Sequence, residues 1–148
     1  MISKNFASDL LNLICGVSND VSMPKDLYLG LCSDEPDATT GAITGEPAID
    51  NTGATTGYQR QLVGGSNNEK DFSDSIGTGV ISNSKEIHLN VANSNWGQMN
   101  YFFLSESESG NAILWGTING DAGVQIPANH VPVFKKGYLK ISIDTALS

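Results

Sequence analysis

At 148 residues the chain has the length of one domain, with room for a hydrophobic core that needs no disulfide or metal staple. Charged residues make up only 16%, the net charge is −8 and Arg60 is the lone arginine, so nucleic acid and anionic membrane surfaces are not expected partners. No apolar run approaches the roughly 20 residues of a membrane-spanning helix, and the first residues lack the basic-then-apolar pattern of a signal peptide.

Residues 1–16 read as a helical segment. Ser3 or Asn5 can cap it, Phe6, Leu10, Leu13 and Ile14 fall on one stripe, and Gly16 is placed to end it. About three turns of helix do not persist alone in water, so this one is expected to dock on its own sheet or on a neighbouring subunit. Phe6 and Leu10 are the candidate contact residues.

From Asp26 onward the pattern is β, in keeping with the abundance of Gly, Ser, Thr and Asn. Leu27, Leu29 and Leu31 alternate with Tyr28, Gly30 and Cys32, the period of a half-buried strand. Residues 33–57 then form a long acidic loop rich in Gly and Thr, without hydrophobic periodicity from Asp37 on. Loops of this length in compact domains are functional or mobile, so the segment is expected to be pinned against a neighbour or to move. Asp34, Glu35, Asp37, Glu46 and Asp50 meet no basic residue between Asp26 and Arg60. A solvated negative loop is the preferred reading, with weak calcium binding as the alternative.

Tyr58 to Val63 reads as the next strand, ended by Gly64-Gly65, followed by the polar Ser66–Ser75 and a short apolar piece at Val80-Ile81. Lys85 to Ala92 alternates, with Ile87, Leu89 and Val91 on one face. Asn93 to Gly97 is a turn that carries Trp96, and Gln98 to Leu104 reads as one central strand. After a hairpin tip at Ser105–Gly110 come Ala112 to Ile118, the Asn119-Gly120-Asp121 turn, and Val124 to Ile126. Val131 to Phe134 is interrupted by Pro132, the mark of an edge or irregular strand. The last strand turns Leu139, Ile141 and Ile143 inward. About eight short strands parted by turns predict an all-β fold, an antiparallel jelly-roll-like β-sandwich over residues 1–148, with one N-terminal α-helix.

The sequence assembles no nucleophile, base and oxyanion donor, and no catalytic, cofactor-binding or metal-ligating residue is assigned. His88 lies on the outward face of an alternating strand, and His130 sits in a loop before Pro132. His130 is read as a satisfied loop histidine or an interface residue. Gly77-Thr78-Gly79 has no following helix, so it is a turn and not a dinucleotide loop. Cys15 and Cys32 are read as small buried hydrophobes, a disulfide between them being the alternative. Trp115, within Ile113-Leu114-Trp115, belongs to the core; Trp96 packs across a sandwich end or lies exposed at an interface or glycan site.

Motifs in a fixed order carry a family resemblance. After the opening helix come Leu27-Tyr28-Leu29-Gly30-Leu31 running into Ser33-Asp34-Glu35-Pro36, then Gly57-Tyr58-Gln59-Arg60-Gln61. Asn95-Trp96-Gly97, Tyr101-Phe102-Phe103-Leu104 and Asn111-Ala112-Ile113-Leu114-Trp115-Gly116 follow, and then Val124 to Phe134 and Gly137-Tyr138-Leu139-Lys140-Ile141-Ser142-Ile143. As an ordered set spanning nearly the whole chain, they resemble small virion proteins of tailed bacteriophages, commonly labelled phage tail-fibre proteins. Ser66–Ser75 and Phe102-Phe103 depart from the family pattern, which elsewhere has Gly-Tyr-x-Arg where this chain has Gly57 to Arg60. The resemblance implies a non-enzymatic virion component: a compact tail-fibre, collar or baseplate-type subunit, or alternatively a capsid decoration protein. It implies other virion proteins as partners and a homo-oligomer, a trimer by analogy. A glycan-binding receptor module is a further alternative. The candidate interface or ligand surface comprises Phe6, Leu10, Trp96, His130 and Pro132.

Overall fold

Alternating strands with both faces apolar require a cover on each side, and the chain supplies two different ones. The computed structural model describes residues 1–17, 24–64, 71–73 and 79–142. Its elements are α1 (Lys4–Ile14), β1 (Leu27–Cys32), β2 (Gln61–Gly64), β3 (Val80–Ser82), β4 (Ile87–His88) and β5 (Gly97–Met99). They continue with β6 (Tyr101–Ser105), β7 (Ala112–Thr117), β8 (Val124–Ile126), β9 (Val133–Phe134) and β10 (Lys140–Ser142). The main sheet runs β2-β1-β6-β7, antiparallel throughout. Register sets Leu29 opposite Leu104, Leu31 opposite Phe102 and Phe103 opposite Trp115.

One face of this sheet carries Leu29, Leu31 and Leu104, packed with Ile87, Leu89, Trp96, Met99, Ile126 and Leu139. These partners belong to three two-stranded pairs or to the segments next to them, β3 with β10, β4 with β9 and β5 with β8. The other face presents Cys32, Phe103, Ala112 and Trp115, with Ile43 of the 33–57 segment packed on them. Buried Asn83 ties the C-terminal turn to the first layer: its Oδ1 accepts from Leu139 N–H, and its Nδ2 donates to the carbonyls of Lys85 and Lys135 at 2.8 and 2.9 Å.

The fold is mostly β with one short N-terminal helix, as its periodicities predict. The strands differ from an eight-stranded jelly roll: ten are described, split between one four-stranded sheet and three two-stranded ones. The run Gln98 to Leu104 is two strands, because Asn100 leaves the ladder to donate its N–H to Cys32 O and its amide to Ser33 O. Lys85 to Ala92 keeps only Ile87–His88 as a strand, and Val91 faces solvent. Tyr58 to Arg60 precedes β2 and serves another purpose, described below. Gly65, Ser66–Ser75 apart from 71–73, Gly77-Thr78 and Ile143 lie outside the described residues.

Candidate functional site

The 33–57 segment, expected to be pinned against a neighbour or mobile, is tied to its own sheet by hydrogen bonds of the same chain. Asp50 gathers its turn: Oδ1 accepts from the N–H groups of Thr52 and Gly53 and from the Thr52 hydroxyl, and Oδ2 from the N–H groups of Thr55 and Gly57. These donors, those of Gly57 and Thr55 first, hold the Asp50 carboxyl well below the usual carboxylate range. Asp37 repeats the device on a smaller scale, its pKa lowered first by the N–H of Thr40. Glu46 grips Arg60 with both oxygens, Nε and Nη2 each donating at 2.8 Å. Nη1 of Arg60 reaches Ser105 Oγ and the carbonyls of Ser107 and Gly110, and its guanidinium lies 4.8 Å from the centre of the Phe103 ring. The Tyr58 hydroxyl donates to Glu46 and accepts from Leu31 N–H, where β1 has run past its pairing with β2. Trp96 closes this corner, its indole donating to Thr56 O at 2.8 Å and its ring meeting Tyr58 edge-on at 5.2 Å.

A second feature begins at the chain's first residues. Ile2 forms a bridge with Leu114 on the β7 edge, flanked by Trp115 N–H to Met1 O and Ser3 N–H to Ile113 O. Ser3 then caps α1 by accepting from Phe6 N–H, and the N–H groups of Lys4 and Asn5 bond to the carbonyls of Ala38 and Thr39. The base of the helix is therefore fixed by backbone hydrogen bonds to β7 and to the loop layer. The rest of it has no buried residue. Phe6, Leu10 and Leu13 are half-buried, while Leu11, Ile14 and Val17 are 61, 70 and 75% exposed.

A third feature is an open groove of about 590 Å³ in the layer over the first face. Leu31 and Phe102 lie in it, with Ile118 and Ile126 alongside. Phe134 closes against Phe102 edge-on at 6.1 Å. Val131, Val133 and Tyr138 contribute exposed apolar surface, and Asn119, Gln125, His130 and Lys135 contribute polar groups. Among the described residues no three acid, His or Cys side chains converge as a metal site. No described helix is long and apolar enough to cross a membrane.

A family model described as "Podophage GP4 fiber I protein gp80" matches residues 1–142. The chain belongs to this phage fibre family. No curated protein matches it. For a member of the fibre family, the residues singled out in the sequence divide into three groups. Phe6 and Leu10 sit on the projecting helix, half-buried, with the more exposed apolar surface supplied by Leu11, Ile14 and Val17. His130 and Pro132 come together in the groove. Trp96 joins neither surface: it is buried and fully engaged with Tyr58 and Thr56, which removes the exposed ring a sugar would stack on. Both cysteines are free, and Cys15 is exposed instead of buried. Sequence reasoning missed the Glu46–Arg60–Tyr58 pin. Its signal was present, since the chain's lone arginine ends a long stretch of unpaired acids and is spaced two residues from a tyrosine.

Proposed function

We propose that this fibre-family protein is a non-enzymatic structural subunit of the phage tail, a compact fibre, collar or baseplate-type piece that works as a homo-oligomer. It attaches to a neighbouring virion subunit through α1. One observation carries the reading: the helix is tied at its base by four backbone hydrogen bonds, yet leaves Leu11 and Ile14, with Val17 just past its end, uncovered. Three turns of helix without a partner are marginal in water. Covering Leu11 and Ile14 against another subunit would contribute about 2 kcal/mol each. Repetition around a symmetric particle multiplies contacts of that modest size.

The test uses phage carrying Leu11→Asp with Ile14→Asp. Both positions face solvent in the monomer, so the purified variant should keep the wild-type melting temperature. It should be missing from purified particles by quantitative mass spectrometry. Normal incorporation would refute attachment through the helix. Cross-links from α1 to the major capsid lattice would move the protein to the head, as a decoration protein.

A further inference from the structure

The groove over the first face is lined by two strands that each lack a partner on one side. Among the described residues β8 pairs only with β5, and β9 only with β4. Side chains on a strand alternate between its faces, so a groove that follows one face meets every second residue. This groove meets Val124, Gln125 and Ile126 in a row, and His130 to Lys135 without a gap. It therefore runs along strand edges, where backbone groups come within reach.

Register decides which backbone groups these edges offer. Pro132 O accepts from Leu89 N–H, and Val133 lies opposite His88, so Pro132 turns its backbone toward β4 and Val133 turns its own away. Ile126 O accepts from Trp96 N–H on the β5 side, so the neighbouring Gln125 turns its N–H and C=O outward as well. A proline commonly blunts a strand edge. Here the N–H that Pro132 lacks would have faced β4, so the free edge of β9 keeps its donor at Val133. The floor is apolar, with Leu31, Phe102 and Ile118. Charge narrows the occupant further: in a chain of net charge −8 the described lining holds no acid, and Lys135 is its one charged residue. We propose that the groove receives an extended segment of a partner polypeptide, which adds a strand to the free edge of β9. Alternate apolar side chains of that segment rest on the floor, and a carboxylate meets Lys135. This site is separate from the exposed face of α1 and does not depend on it.

Fluorescence anisotropy on the full-length protein tests it, the probes being labelled peptides of about ten residues tiled across the other virion proteins of the same phage. Peptides that alternate apolar residues and carry an acid should bind, and raised salt should weaken them. N-methylation of the alternate backbone amides that face β9 should weaken a binder roughly tenfold or more, since each hydrogen bond lost is worth about 2- to 10-fold. Val133→Pro deletes the free-edge donor and no hydrogen bond to β4. It should keep the wild-type melting temperature and bind roughly 2- to 10-fold more weakly. Should that variant lose its melting temperature, Lys135→Glu, at an exposed position, takes its place and should weaken acidic peptides several-fold. The proposal is overturned if no tiled peptide binds, if N-methylation of either alternate set leaves affinity unchanged, or if the variant binds like wild type. A wild-type oligomer that Val133→Pro dissociates would give the groove to a second copy and overturn it as well.

Discussion

Arg60 is 7% exposed, and its side chain spends its donors on Glu46, Ser105, Ser107 and Gly110. A buried guanidinium is costly unless paired, so breaking the pair strands the survivor. Glu46→Ala should therefore destabilise the fold by about 3–5 kcal/mol in urea titrations. A loss of a few tenths would show that the pair is solvated. Asp50 gives an acid-side signature. Its folded pKa lies below its unfolded value, so its contribution is complete above the unfolded pKa, near 4, and disappears as pH falls through the folded one. Asp50→Asn should lower the melting temperature at pH 7 and flatten its fall between pH 5 and pH 2. Equal slopes for wild type and variant would contradict that assignment. The two thiols should part company as well. Cys32 is pushed up to about 12, by burial first and then by the charges of Glu46 and Asp34, whereas Cys15 is exposed. Iodoacetamide should label Cys15 in the native protein and reach Cys32 only after unfolding.

Among the elements, those whose reasons are local were legible in the sequence. Ser3 caps α1 as its position predicts, β1 forms over the alternating run though it is buried on both faces from Leu29 to Cys32 and not half-buried, and Pro132 directly precedes the short β9 that pairs with β4. Elements shaped by distant partners were not legible. Nothing local marks Asn100 as the break between β5 and β6; the break exists because its backbone and amide are claimed by Cys32 and Ser33. The acidic loop looked unpartnered because its counter-charges lie outside it, Arg60 beyond its end on Glu46 and Lys4 near Asp37, and its remaining order comes from Asp-centred turns. Gly30 shows the limit at a single position in β1. A Cβ there would come within 2.2 Å of Phe103 Cζ and 2.7 Å of the Tyr58 hydroxyl, both fully buried. Gly30→Ala should cost about 1–3 kcal/mol by overpacking, whereas Gly53→Ala, with open space around it, should leave packing intact and pay only for its positive φ.

For the whole molecule, one sheet with two unlike covers explains the placement of both candidate surfaces. The loop layer, locked by Asp50 and the Glu46–Arg60 pair, is the platform from which α1 projects. The layer of short strand pairs, tied by Asn83, shapes the groove. Of the surface residues singled out in the sequence, periodicity placed Phe6 and Leu10 on the helix, and His130 and Pro132 line the groove, which nothing local in the sequence marks. Of the two readings of Trp96, packing across a sandwich end is the one its burial against Tyr58 fits, although an aromatic beside a glycine at a turn reads the same in sequence either way. Membership of the phage fibre family places these surfaces on a virion component. Cryo-electron microscopy of the intact particle tests the account most directly. It should show the protein on the tail, with Leu11 and Ile14 of every copy buried against an adjacent subunit; helices left bare to solvent in the assembled virion would contradict it.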